Sequence, residues 1–188
     1  MNLLKISTIV LMLFAVTSTA FAQTQIEGFW GVKLGDTESS VVSKVKQQYP
    51  NAQYEEFSTG KQFVCRKVHL AGIEVEVCYF TFVNGVFTKA RFVKSGGGKR
   101  LPYNQIQNYL NSIQPSVQNN YVQFCKTIES KYGTPQTFSS TVIWQTSNGN
   151  SITIKPWTLT DKMPFSEEYW ASMGIEIIYA QGTHINDF

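Results

Sequence analysis

Three cysteines are the residues of this chain most able to do chemistry: Cys65, Cys78 and Cys125. Cys65 and Cys78 flank Ala71-Gly72, a dipeptide that reads as a two-residue turn between one strand, Gln62 to Leu70, and the next, Ile73 to Val83. In that register Leu70 opposes Ile73, His69 opposes Glu74, Val68 opposes Val75, Lys67 opposes Glu76, Arg66 opposes Val77 and Cys65 opposes Cys78. One face is then apolar apart from Arg66, and the other carries the cysteines with two charge pairs. Pair type alternates along an antiparallel ladder, which places the cysteines at a non-hydrogen-bonded position with Cα atoms about 4.5 Å apart. A disulfide accepts that spacing at the short end of its range, and an exported chain meets an oxidising compartment. The pattern predicts a Cys65–Cys78 disulfide. Cys125 sits among Tyr121, Phe124, Ile128 and Tyr132 at helical spacing, which predicts a buried, unpaired thiol.

The remaining candidates are weaker. His69 opposite Glu74 has the residue types of an acid–base pair, but no nucleophile is placed beside them, and a surface ion pair is the expected outcome. His184 beside Asp187 reads as a solvated tail. Ser95-Gly96-Gly97-Gly98-Lys99-Arg100 lacks the spacing of a phosphate loop, because Arg100 stands where Ser or Thr is required; it reads as a flexible loop. Two histidines and three distant cysteines make no zinc framework. No catalytic residue, metal ligand or cofactor is assigned. Trp157, Phe165, Tyr169 and Trp170 lie in a segment, Lys155 to Trp170, without clear periodicity. Aromatics in such segments serve binding or simply close the open end of a core; the segment is expected to be an irregular excursion.

The elements that must carry these residues alternate between two periods. Thr37 and Glu38 open a helix expected over 37–49, with Val41, Val42, Val45 and Tyr49 on one face and Pro50 as its stop. Asn84-Gly85 marks a second hairpin that pairs Val83 with Val86 and Phe82 with Phe87, with the third strand ending near Lys94. Tyr103 to Ile113 and Tyr121 to Tyr132 are two helical stripes interrupted at Pro115. Val142 to Thr146 and Ser151 to Ile154 form a hairpin around Asn148-Gly149, and Ile175 to Tyr179 is a last strand. Helix, three strands, helical region and three more strands predict an α+β fold. An antiparallel meander sheet carries helices on one face, in one domain with two similar halves over 27–95 and 101–182.

Residues 1–22 read as a secretion signal: Lys5, an apolar run from Ile6 to Val16, and Ala20-Phe21-Ala22 before cleavage. The apolar run is too short to span a bilayer, so residues 23–188 are expected to act in the periplasm or beyond it. The formal net charge of +3 includes Lys5, which leaves too little on the exported chain to argue for nucleic acid. The stretches Leu34-Gly35-Asp36-Thr37-Glu38-Ser39-Ser40-Val41 and Lys131-Tyr132-Gly133-Thr134-Pro135 resemble small exported proteins of Gram-negative bacteria, particularly Bacteroidetes. The layout is also similar to the β-lactamase-inhibitor-protein and BamE-like group. Members of that group bind other proteins in the envelope, so the resemblance implies a non-enzymatic protein with a protein or peptide partner. BamE-like lipoproteins carry a lipid-anchored cysteine that has no counterpart here, and no functional residue carries over. A small-molecule or lipid carrier with an apolar cavity and a hydrolase with an unrecognised site are the alternatives.

Overall fold

Thr37 begins the first helix as a side-chain cap. Its backbone is extended, and its Oγ1 accepts the Ser40 amide at 3.4 Å. The computed structural model describes residues 25–26 and 28–182; the signal segment, Gln23, His184 and Asp187 lie outside the described residues. Helix α1 spans Glu38–Gln48 and buries Val41 and Val45. Four strands follow as a meander: β1 (Gln53–Phe57), β2 (Gly60–Leu70), β3 (Ile73–Val83) and β4 (Val86–Pro102). Helix α2 (Ile106–Tyr132) crosses over, and β5 (Gln136–Phe138), β6 (Thr141–Gln145), β7 (Ser151–Lys162) and β8 (Glu168–Ala180) complete the chain order. Among the described residues the eight strands form one sheet, β1-β2-β3-β4-β8-β7-β6-β5, antiparallel throughout. A helix followed by four strands thus occurs twice, and the last strand of each run meets the other at the centre.

The fold is α+β, with both helices packed against the sheet. Between them and the sheet lie Phe63, Phe80, Phe87, Phe92 and Phe124, all fully buried, with Ile152, Ile154, Ile175 and Ile177. Phe29, ahead of α1, plugs the remaining gap; its ring lies 4.7 Å from that of Phe92 and 5.1 Å from that of Tyr179. Burying each such side chain contributes about 1.5–3 kcal/mol.

Both turns are of the kind the dipeptides demand. Ala71 and Gly72 have φ of 54° and 78°, Asn84 and Gly85 of 51° and 73°, the paired positive values of a type I′ turn. The register is the expected one, with Leu70 opposite Ile73, Cys65 opposite Cys78 and Phe82 opposite Phe87. The faces differ. Lys67 adopts φ 53° and drops out of the β2–β3 ladder with Glu76, which inverts the alternation on both strands. Cys65 and Cys78 therefore join Val68, Leu70 and Val75 in the core, while Arg66 turns outward to Glu55 at 2.6 Å. Glu76 pairs with Lys94 at 3.3 Å instead of with Lys67.

The expected disulfide is absent: Cys65 and Cys78 are free thiols. The inversion places them in packed core, where burial pushes Cys65 up to about 11 and Cys78 well above the ordinary thiol value, so neither has the thiolate character that oxidation needs. The Cys65 thiol instead lies 3.6 Å from Asn51 Oδ1 as a donor.

Four further expectations are corrected. Pro115 does not interrupt the helical region; α2 runs through it. Its buried stripe of Ile106, Leu110, Val117, Phe124, Ile128 and Tyr132 outweighs the roughly 3 kcal/mol that an interior proline costs. Cys125 lies at the edge of that stripe and is half-buried, not buried. Ser95 to Arg100 is not a loop but strand, paired with Trp170 to Gly174 of β8. Lys155 to Trp170 is not an irregular excursion: β7 continues to Lys162, and β8 starts at Glu168. The ends of β4, β7 and β8 thus form a three-stranded arm. Ile106 and Leu110 of α2 pack on its Ala171, with Tyr109, Ile113, Tyr169 and Met173 around them.

Candidate functional site: the open face of the sheet

Alternation decides which side chains the helices do not cover. On β8, Ala171, Ile175, Ile177 and Tyr179 belong to the cores under the helices, so Trp170, Ser172, Gly174, Glu176 and Ile178 point to the opposite face. On β7, Ile152 and Ile154 face the core, which turns Thr153, Lys155, Trp157, Leu159 and Asp161 outward. On β4, Ala90 and Phe92 face the core and Lys89, Arg91 and Val93 do not. The register lays these outward residues side by side: Arg91 beside Ile178, Glu176 beside Lys155, Trp157 beside Gly174, and Arg100 and Asp161 on either side of Trp170.

Glu176 organises the centre. One of its oxygens lies 2.9 Å from Arg91 and the other 3.3 Å from Lys155. The Arg91 guanidinium also sits 4.5 Å from the centroid of the Tyr79 ring, within cation–π range. Lys89 lines the same hollow, of about 330 Å³, which Gln62, Tyr79, Thr81 and Ile178 complete. A second hollow of about 320 Å³ shares Lys155 and is lined by Phe138, Thr141, Ile143, Ser151 and Thr153. The Ser151 hydroxyl is buried with no hydrogen-bond partner among the described residues.

The four aromatics expected to bind a partner are divided by the fold. Trp157 and Trp170 share the open face. The Trp157 indole covers Gly174, where an added Cβ would come within 2.6 Å of the ring; the Trp170 indole covers Gly98, where the approach would be 2.3 Å. The glycines are therefore seats for indoles. Tyr169 points the other way, with its ring 5.4 Å from that of Tyr103 above the smaller core. Phe165 stands apart at the β7–β8 tip, fully exposed and at φ 59°.

Tyr79, Arg91, Lys155, Leu159 and Glu176 were not singled out from the sequence. The alternating Ser-Ile-Thr-Ile-Lys and Ile-Glu-Ile-Ile-Tyr runs did carry Lys155 and Glu176 on the polar side of each strand. What joins them to Arg91 is the β4–β8 pairing, between residues 85 apart in the chain.

The other candidates do not assemble. His69 and Glu74 are cross-strand partners, but the expected ion pair between them is not formed among the described residues. The His69 backbone instead accepts from Trp30 Nε1 and donates to the Tyr49 hydroxyl. Among the described residues, no group of three or more His, Cys, Asp or Glu could hold a metal ion, and no helix is long and apolar enough to cross a membrane. No protein-family model matches the chain, and neither the curated proteins nor the solved structures contain a significant match.

Proposed function

We propose that this chain is a non-enzymatic binding protein that takes a protein or peptide partner on the open face of its sheet, in the periplasm or beyond it. The observation that carries this reading is the pairing on one uncovered face of half-exposed indoles, Trp157 and Trp170, with the Arg91–Glu176–Lys155 web. Aromatic and arginine side chains fixed on a rigid scaffold are what protein interfaces use as anchors. Trp170 is 37% and Leu159 41% exposed, apolar surface that packing in this chain does not use. The resemblance to envelope proteins that bind other proteins points the same way, as does the export that residues 1–22 suggest. A carrier would need an enclosed apolar space, and five phenylalanines occupy the region between helices and sheet.

Site-specific photo-crosslinking in the cells that make the protein tests the proposal. A photoreactive phenylalanine analogue at Tyr79, Leu159 or Trp170 should give discrete adducts, while the same group at the exposed Val122 of α2 should give none. Equal labelling from both faces, or none from the open face, would remove the reading.

A further inference from the structure

Strand β7 outruns its neighbour β6. The β6 ladder covers Ser151 to Ile154, while the ladder with β8 continues to Lys162. The phase of the longer ladder fixes where the remaining backbone groups point. Just past its end the Met163 N–H donates to the Glu168 carbonyl at 2.9 Å. Hydrogen-bonded and non-hydrogen-bonded pairs alternate along antiparallel strands, so Asp161, Leu159 and Trp157 exchange their bonds with β8. Thr158, Thr160 and Lys162 therefore turn both N–H and C=O to the outer edge. Pro156 has no N–H and stands where β6 would continue, which ends that pairing. Among the described residues, no hydrogen bond reaches the outward groups of Thr158, Thr160 or Lys162. At the opposite edge of the sheet β2 likewise outruns β1, beyond Val64. There side chains close the gap: Asn51 and Trp30 donate to the carbonyls of Arg66 and His69 at 2.9 and 3.0 Å, and the Tyr49 hydroxyl accepts the His69 N–H at 3.2 Å.

Between this edge and α2 lies a groove of about 400 Å³, with Val117, Tyr121, Pro156 and Met173 in its walls. Thr158 and Thr160 stand on the groove side of β7 and are exposed; Trp157, Leu159 and Asp161 stand on the other side. A row of outward N–H and C=O groups is matched by another extended backbone, and side-chain pockets beside such an edge supply selectivity. We propose that the β7 edge binds an extended peptide segment of a partner protein, added to the sheet as a further strand against Thr158, Thr160 and Lys162. The free run is roughly 20 Å long at about 3.4 Å per residue. Pro156 and Lys162 limit it at either end, which guards against indiscriminate pairing. The side chains set what the segment carries. In the antiparallel sense, the more stable one, the residue opposite Asp161 comes first. Asp161 makes no salt bridge among the described residues, so a Lys or Arg fits there. Apolar residues fit the third, fourth and fifth positions, opposite Leu159, Thr158 and Trp157, with the fourth directed into the groove. This edge binds backbone and stands apart from the Arg91–Glu176 centre of the open face, so neither reading depends on the other.

Selection from a displayed library of random peptides, about 12 residues long, on the purified protein tests this. Enriched peptides should carry the basic-then-apolar order and bind with micromolar dissociation constants. Thr160→Pro removes an outward N–H alone and should weaken binding of a selected peptide at least tenfold. Thr160→Val keeps that N–H and should not; near-UV circular dichroism confirms the folding of both. Hydrogen exchange gives a reading that needs no variant. In the free protein the amides of Thr158, Thr160 and Lys162 should exchange faster than those of Trp157, Leu159 and Asp161, and a selected peptide should slow the first three. No enriched sequence, no alternation in exchange, no slowing by the peptide, or equal binding to folded Thr160→Pro would each overturn the proposal. A purified chain that dimerises, in a manner Thr160→Pro abolishes, would make a second copy the occupant and overturn it too. Selected peptides that bind this edge, with no adducts in cells from Tyr79 or Trp170, would uphold the edge and remove the open-face reading alone.

Discussion

Lys67 is the residue at which side-chain direction departs from simple alternation. A lysine in the left-handed region costs about 1–2 kcal/mol, and here that conformation turns two thiols inward and one arginine outward. The pairing of Cys65 with Cys78 could be read from the turn, because Ala71-Gly72 sets the register. Their face could not, because no residue type at 67 announces a positive φ. The consequence is chemical. Burial raises all three thiols, Cys65 to about 11, with the Tyr121 hydroxyl partly offsetting the rise at Cys125. A group so raised stays protonated at pH 8 and reacts slowly even where reagent reaches it. Labelling of the native protein with a thiol reagent at pH 8 should therefore modify Cys125 first, since it is half-buried, and leave Cys65 and Cys78 untouched until denaturant is added. All three should react in denaturant. Fewer than three reactive thiols in the unfolded, unreduced protein would show that a disulfide forms after all.

Among the elements, the arm shows what periodicity conveys and what it does not. The Asn84-Gly85 turn, α1 and the stripes of α2 were legible because each is a local signal. The strand from Ser95 to Pro102 was not, because three successive glycines, Gly96 to Gly98, suggest a loop. The structure uses them for close approach: a Cβ on Gly96 would meet Val117 at 2.2 Å and one on Gly98 would meet Trp170 at 2.3 Å. Likewise, Trp157 and Trp170 look aperiodic until Gly174 and Gly98 are seen beneath them. The open face was half legible for the same reason: its aromatics stood out, but its charged centre depends on pairing between distant strands. Substitutions should separate two kinds of crowding. At Gly174 a Cβ would meet the Lys94 carbonyl oxygen at 2.3 Å as well as the Trp157 ring, and backbone cannot yield. Gly174→Ala should destabilise by about 2–3 kcal/mol, toward the upper end of ordinary overpacking. Gly98→Ala meets only an indole and should cost about 1 kcal/mol, most of it recovered when Trp170 is also replaced by Leu. Urea unfolding of the three variants measures this; equal losses at Gly174 and Gly98 would mean that the arm backbone shifts freely.

For the whole molecule, the two cores set a hierarchy of stability. The body is closed by one cluster that runs from Ile26 through five fully buried phenylalanines to Tyr179. The arm depends on Ile106, Leu110 and Ala171 with a partly buried fringe. Segments with few buried apolar contacts open with lower free energy than the core they extend, so the arm should open while the body stays folded. β4 has a bulge between Ser95 and Gly97, where the pairing with β8 shifts register, and the opening is expected to stop there. Hydrogen exchange should therefore show amides of 97–101, 158–162 and 168–172 exchanging faster than those of 75–80, 89–93 and 175–179. Leu110→Ala should speed the first group by tenfold or more, in line with the several kcal/mol a buried leucine contributes, and change the second little. Uniform exchange across both groups would mean that the arm and body unfold as one unit, and the arm would then be a rigid extension of the sheet.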